Sequence, residues 1–265
     1  MAVLGSERDV VQGAQSIDRA LTLLSAFTAE QPRQRIVELA SNTGLGQSTV
    51  SRMVAAMVAA GYLEPDSNTG TYGLGASVLD LASARLNSDP VHAAARQVAQ
   101  SLAIQTGLGA NVAKRHRDRL LYLCNFEGQD APRSATLLGT GGPLHATGMG
   151  KALLLGADDS EIQALVGTEP VRYTSHTVVD LGALRDELEL SRERGYTIEN
   201  QELALRRACI AAPIHDRSGA IVAAMSISGP LSVIRIDERE QELAVAIIEA
   251  ADQVSSALGY TARAY

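Results

Sequence analysis

The spacing of apolar positions changes period several times along the chain, and each change marks an element. Ile17, Ala20, Leu21, Leu24 and Phe27 fall on one face of a helix that Ser16 is placed to cap. That helix should stop before Glu30-Gln31-Pro32, because proline disfavours helical backbone in the residue ahead of it. Ile36, Val37, Leu39 and Ala40 make a shorter second stripe. It breaks at Asn42-Thr43-Gly44, where the glycine can take the positive φ of a sharp turn, and Leu45 is placed to plug the elbow from inside. Val50, Met53, Val54, Met57 and Val58 form the stripe of a third helix starting near Gln47 or Ser48. The period then switches to two. Gly61-Tyr62-Leu63-Glu64 and Thr71-Tyr72-Gly73-Leu74 read as strands joined by the turn residues Pro65 to Gly70. Three helices and a hairpin in this order predict a winged helix-turn-helix over residues 1–75, with 1–14 a polar arm. Gln47, Ser48, Thr49, Ser51 and Arg52 then occupy the outer face of the third helix's leading turns, the part of this motif that enters a major groove.

Residues 76–88 read as an amphipathic linker helix carrying Val78, Leu79, Leu81 and Ala82, followed by a boundary at Asn87-Ser88-Asp89-Pro90. The second domain, 89–265, opens with a helix from Pro90 to about Thr106. Ala110–Lys114 and Leu120–Phe126 read as strands around a turn at Arg115–Arg119, and 127–145 is a looser Gly-, Pro- and Thr-rich section. Helices follow at Gly148–Leu155, Ser160–Val166 and Leu181–Arg194, then strands at Thr197–Asn200, Ala208–His215 and Ala220–Ser228, and a closing helix from Asp237 to Leu258. About five strands flanked by helices predict an α+β chain whose second domain is an α/β sensor with an antiparallel sheet.

Charge sharpens the first domain. The whole chain carries −7, and residues 1–75 hold five arginines against seven acids. Within 31–62 the balance reverses, with Arg33, Arg35 and Arg52 against Glu38 alone. Contact with DNA must then rest on a few arginines, and because affinity scales with the phosphates neutralised, a dimer is expected. At 46% hydrophobic and 20% charged residues the chain reads as globular. No apolar run approaches the roughly 20 residues that span a bilayer, and the first residues lack a signal-peptide core, so no membrane partner and a cytoplasmic location are expected. The two cysteines, Cys124 and Cys209, form no disulfide framework. There is no Gly-rich phosphate loop, metal-ligand cluster or nucleophile elbow, so no cofactor, metal or catalytic residue is assigned.

Several blocks, in order, carry a resemblance. In the first domain they are Ser16 to Leu21, Thr43-Gly44-Leu45, Ser48 to Arg52, Gly61-Tyr62-Leu63 and Tyr72 to Gly75. In the second they are Leu144 to Ala152, Arg194-Gly195-Tyr196, Gln201-Glu202, Cys209 to Ile214 and Ser226 to Pro230. Over nearly its whole length the chain resembles the IclR family of bacterial transcriptional regulators. Gln201-Glu202-Leu203 is similar to the branch controlling aromatic-acid catabolism. The resemblance implies a dimer or dimer of dimers on double-stranded operator DNA, with a GAF-like second domain that binds a small carboxylic acid. Two departures stand out. The family's wing often carries a basic residue beside the tyrosine, whereas Tyr72 here lies between Thr71 and Gly73. The strand ahead of Ile210 has Arg206 and Arg207 where a glycine and an aliphatic residue are usual.

The resemblance places the effector site at Ser134, Gly148, Met149, Glu199, Arg207, Cys209, Ser226 and Ser228. Strand geometry gives a separate check, since Ser226 and Ser228 share one face of their strand and Arg207, Cys209 and Ala211 share one face of theirs. A guanidinium, two hydroxyls and a helix N-terminus at Gly148 make a carboxylate site. Each element also has a structural alternative. The serines can bond backbone, Arg207 can pair with Glu199 or Glu202, and Cys209 can be a small strand residue. Lys151, on an exposed helix turn, should close over an acid or a carbonyl, and His145 and His116 receive no role. On DNA, Gln47, Ser48, Thr49 and Ser51 are assigned to base edges and Arg33, Arg35 and Arg52 to phosphates, with Tyr72 on the wing. These readings together predict a ligand-responsive regulator, a repressor. The alternatives are a GAF-like enzyme using Cys209 for redox chemistry and a DNA-free interaction module.

Overall fold

The structure, a computed structural model, describes residues 14–131 and 137–261. The arm expected at 1–14 lies outside the described residues except for Ala14, and so does Ser134. The chain divides into two compact units, Met1–Arg85 and Leu86–Tyr265.

The first unit runs α1 (Gln15–Leu24), β1 (Arg33–Gln34), α2 (Ile36–Thr43), α3 (Gln47–Ala59), β2 (Leu63–Asp66) and β3 (Thr71–Leu74), followed by α4 (Ala76–Asn87). Its core is Leu23, Phe27, Leu39, Ala40, Val50, Val54 and Leu63. Gly44 ends α2 in the left-handed region at φ 69°, and Gly46, extended, opens α3. A buried Gln34 side chain ties the segment after α1 to α2. Its Nε2 donates to the Ala26 carbonyl at 2.7 Å, and its Oε1 accepts from Asn42 Nδ2 at 2.7 Å.

Several expectations shift here. Ala14, not Ser16, stands at the N-cap position, with no side-chain cap bond. Because α1 ends at Leu24, Phe27 reaches the core from the following turn, and the buried side of the helix centres on Leu23. Ile17 and Leu21 are left 63% and 53% exposed, and Val37 is exposed as well. Met53, Met57 and Val58 pack against the core only partly buried. The wing has three strands in the order β1-β3-β2. The two-residue β1 was not read from the sequence because Arg33 and Gln34 carry no strand signature. They are strand only because Gly73 and Tyr72 pair with them.

The second unit begins with α5 (Pro90–Thr106), β4 (Gly109–His116), β5 (Arg119–Phe126) and β6 (Gly141–Pro143). Then come α6 (Gly148–Leu154), α7 (Asp159–Val166), α8 (Leu181–Arg194), β7 (Thr197–Asn200), β8 (Arg207–His215), β9 (Ile221–Pro230), α9 (Leu231–Ile234) and α10 (Ile236–Ala257). Asp89 caps α5 by accepting from the Val91 and His92 amides, with Pro90 at the first helical position. The sheet is antiparallel in the order β6-β5-β4-β9-β8-β7, six strands rather than about five. The added strand, β6, is Gly-Gly-Pro, which no propensity argument would select.

One sheet face buries Ile210, Ala212, Ile214, Met225 and Ile227 with residues of α5 and α10. The other presents Ala113, Ala211 and Ala224 to α6. These small side chains let α6 come close to the sheet. At Gly148, the first residue of α6, an added Cβ would lie 2.7 Å from Cys209 Sγ and 3.4 Å from Ala211 Cβ. A bulge interrupts the β4–β5 register between Val112 and Ala113, so Asn111 faces Asn125 but Ala113 faces Tyr122. The slip sends Leu123 and Cys124 together into the α5/α10 core, leaving Tyr122 and Asn125 on the α6 side.

In the first unit, a Cβ on Gly75 would sit 2.3 Å from the Gly61 carbonyl oxygen, a backbone atom that cannot swing away. Gly75→Ala should therefore cost about 1–3 kcal/mol, the range for overpacking. Urea denaturation followed by circular dichroism measures this, and an unchanged midpoint would show that the two segments have slack.

Candidate functional site

On the first unit, Gln47, Ser48, Ser51 and Arg52 of α3 are exposed and Thr49 is half-buried, while Val50 and Val54 anchor the opposite side in the core. The i, i+4 spacing of Val50 and Val54 thus turns the polar residues of the leading turns outward. Arg35 opens α2, and its backbone N–H donates to Glu38 Oε2 at 2.6 Å. Arg33 is held differently. Its Nη1 lies 3.3 Å from Glu64 Oε1 and its Nε 4.0 Å from Asp66 Oδ2, with a further hydrogen bond from Nε to Thr71 Oγ1. Part of its charge is therefore already answered inside the wing. Tyr72 is half-buried and packs against the core of the unit.

In the second unit a cavity of about 250 Å³ opens between the sheet and the start of α6. Gly148 and Met149 of α6, Glu199 of β7, Arg207 and Cys209 of β8, and Ser226 and Ser228 of β9 all line it. Strand register explains the convergence. Cys209 pairs with Glu199 on one side and with Ser228 on the other, and Ser226 pairs with Ala211 and Asn111. The side chains thus form two neighbouring rows across one face. Asn111, Tyr122, Leu137, Thr147, Leu203, Ala204 and Ala208 complete the lining and were not read from the sequence. Asn111 was findable from its place in a strand of the same sheet. Tyr122 was not, because the bulge reverses the parity that would have placed it.

The polar groups are connected. Asn125 Nδ2 donates to Asn111 Oδ1 at 2.8 Å, and Asn111 Nδ2 donates to Ser228 Oγ at 3.1 Å and reaches Ser226 Oγ at 3.5 Å. The serines therefore bond a side chain rather than backbone. Thr147 caps α6 by accepting from the Gly150 amide and donates to the Pro143 carbonyl. Glu199, 6% exposed, accepts through Oε1 from the Glu202 and Leu203 amides at 2.6 and 3.2 Å. Burial raises its carboxyl to about 7, against the pull of those two amides. Burial likewise lifts the Cys209 thiol to about 12 and the Tyr122 phenol to about 12. A thiol so placed stays protonated and is a poor nucleophile. Arg207 is exposed and makes no ion pair among the described residues, so the structural alternative of a pair with Glu199 or Glu202 does not occur.

Glu202 pairs instead with Lys151, and here the expectation of an exposed lysine is overturned. Lys151 is fully buried, its Nζ 2.5 Å from Glu202 Oε1, 2.7 Å from Glu187 Oε1 and 3.4 Å from the Ile198 carbonyl. Two acids converge on it because α8 and the segment after β7 flank α6, an arrangement that periodicity within one helix does not report. His145 is buried and its Nε2 lies 2.9 Å from the Val171 carbonyl.

Residues 16–67 match the IclR helix-turn-helix domain, and residues 83–256 match the C-terminal domain of the bacterial transcriptional regulator IclR. The chain belongs to the IclR family of bacterial transcriptional regulators. Its family is one of regulators and not of enzymes. Among relatives, it is 32% identical to the HTH-type transcriptional repressor AllR of Salmonella paratyphi A over 96% of this chain and 93% of that one. It is 31% identical to AllR of Escherichia coli K12, with 97% and 96% covered. An IclR transcriptional regulator from Alicyclobacillus acidocaldarius superposes with a TM-score of 0.82 at 24% identity, covering 92% of this chain and 99% of that one. That likeness supports the two-domain α+β architecture, with an N-terminal helix-turn-helix and a C-terminal α/β domain on an antiparallel sheet. Among the described residues no helix is long and apolar enough to cross a membrane.

Within this IclR-family cavity, Glu199 has a testable energetic signature. Its folded carboxyl titrates near 7 against an ordinary 4.5, so between those pH values the folded state holds a proton that the unfolded chain has lost. Stability should fall as pH rises through that window. Glu199→Gln should match wild type near pH 4 and exceed it at pH 8 by about 1–3 kcal/mol. Urea midpoints at the two pH values check this, and a gain of equal size at both would rule it out.

Proposed function

We propose that this chain is a repressor that holds a two-fold operator as a homodimer or dimer of dimers and loses that hold when a small carboxylic acid fills the cavity. Arg207 carries the reading. It is a guanidinium on the lining of a small cavity, and among the described residues no carboxylate pairs with it. Its planar fork suits a ligand carboxylate, and the Ser226 and Ser228 hydroxyls and the amides of Gly148 and Met149 would add donors. Helix α6 has only seven residues, so the guanidinium rather than a helix dipole is the main source of positive charge. The volume lies below the roughly 300–1,000 Å³ of sites for drug-sized ligands, which favours a small aliphatic acid. The AllR relatives likewise argue for a branch other than the one controlling aromatic-acid catabolism, despite Gln201-Glu202-Leu203. Their name as repressors supports the sign of regulation. A DNA-binding regulator acts where the chromosome is, which makes the chain cytoplasmic.

For DNA we assign Gln47, Ser48, Thr49 and Ser51 to base edges, and Arg52 and Arg35 to phosphates. Arg33 plays a lesser part because Glu64 and Asp66 already share its charge. So few cations hold a monomer weakly, and a second copy doubles them. Ile17, Leu21, Leu79 and Leu81 supply exposed apolar surface that such a copy could cover. Two recognition helices would then meet half-sites about 10 bp apart. Ligand would act through α4, which joins the two units in sequence, by shifting a population of states rather than by chemistry.

Two measurements test the proposal. In gel-shift titrations Arg52→Ala should weaken operator binding and flatten the slope of log affinity against log salt by about 0.9 per bound copy. An unchanged slope would remove Arg52 from the phosphates. In a thermal-shift screen of small aliphatic acids, Arg207→Ala should abolish the shift caused by a binding acid. The unliganded melting temperature should stay within about 2 °C, as befits an exposed side chain. A preserved shift would remove Arg207 from the site.

A further inference from the structure

The groups around the cavity are unequal in hydrogen-bonding character. Arg207 can only donate. Asn111 has its oxygen taken by Asn125 and its amide nitrogen directed at the two serines. Ser228 Oγ already accepts from that amide, which leaves its proton to give, and Tyr122, held protonated by burial, also has a proton to give. Glu199 is the exception. Oε1 is committed to the amides of Glu202 and Leu203, whereas Oε2 makes no hydrogen bond among the described residues although the side chain lines the cavity. Ionised, Oε2 accepts but cannot donate.

Glu199 and Arg207 are also spaced to act on one molecule. Glu199 is the register partner of Cys209, and Arg207 lies two residues from Cys209 along the same strand face. Diagonal neighbours of this kind stand about 7–8 Å apart at the backbone. The two side chains form no ion pair with each other, so both remain available to a small ligand between them.

Resting on the proposed carboxylate reading, we infer that Glu199 selects the effector by its second functional group: an acid whose carboxylate meets Arg207 and which also carries a hydroxyl or amide N–H to donate to Glu199 Oε2. A plain alkyl acid would seal that oxygen against hydrocarbon, and a charge buried without a partner is costly. A dicarboxylate would bring a second negative charge against it.

The test uses matched pairs with the full-length protein at pH 8, where Glu199 is mostly ionised. Butanoate is compared with 2-hydroxybutanoate and 3-hydroxybutanoate, and succinate with its monoamide, succinamate, by calorimetric titration. Wild type should favour the donor-bearing member of at least one pair by about tenfold or more, the worth of a hydrogen bond to a charged group. Glu199→Gln should lose that preference. The two backbone amides fix the acceptor oxygen on their side, so the new NH2 group points at the ligand and meets donor with donor. Equal binding of plain and donor-bearing acids by wild type would overturn the inference while leaving the carboxylate reading intact. A Glu199→Gln variant that keeps the preference would overturn it too. If no acid binds, and Arg207→Ala changes nothing, the carboxylate reading itself falls and this inference with it. The wild-type comparison decides the matter even if the variant folds poorly.

Discussion

A lysine with no access to water holds the effector unit together where it matters. Lys151 lies in α6, one turn beyond the Gly148 and Met149 that line the cavity, and its ammonium is closed in by Glu202, Glu187 and the Ile198 carbonyl. Removing the ammonium leaves the buried Glu202 carboxylate without its countercharge, and breaking a buried pair in this way costs about 3–5 kcal/mol. The clamp therefore fixes α6 to α8 and to the segment after β7. That segment, 201–206, supplies Leu203 and Ala204 to the cavity wall and is pinned a second time by Glu199 through two backbone amides. Gln201 and Arg206, at its two ends, both hold positive φ values. Such backbone persists in residues other than glycine only where surrounding contacts fix it.

On the same face of the sheet, packing and the proposed recognition share one set of residues. Gly148, Ala211 and Ala224 are small so that α6 can approach, and where α6 begins, the sheet is left uncovered and a cavity results. Polar side chains on that patch are organised among themselves before any ligand arrives, the Asn125–Asn111–Ser228 chain being the clearest case. Such preorganisation lowers the entropic cost of binding. The buried carboxyl of Glu199 belongs to both systems, because the amides it accepts from are those of the segment that covers the cavity.

In the first unit the constraint is charge. The reading helix carries one arginine, and another arginine that the sequence offered is drawn into the wing by Glu64 and Asp66. With no basic residue beside Tyr72, the unit holds few cations, and Ile17, Leu21, Leu79 and Leu81 remain exposed on it.

Much of this was legible in residues alone. The helix-turn-helix follows from apolar spacing, a glycine where only left-handed backbone can turn, and polar residues left over on one face, because these are local properties of a chain. The strands that carry the cavity were legible for the same reason, and period-two geometry correctly put Arg207 with Cys209 and Ser226 with Ser228. What required tertiary structure was everything set by a partner distant in sequence. Arg33–Gln34 is a strand only because β3 pairs with it, and Gly141–Pro143 only because β5 does. Tyr122 faces the cavity because a bulge shifts register, and Lys151 is buried because two other segments close over it. Burial, pairing and the identity of a charge's partner depend on which surfaces meet, and local sequence does not encode that.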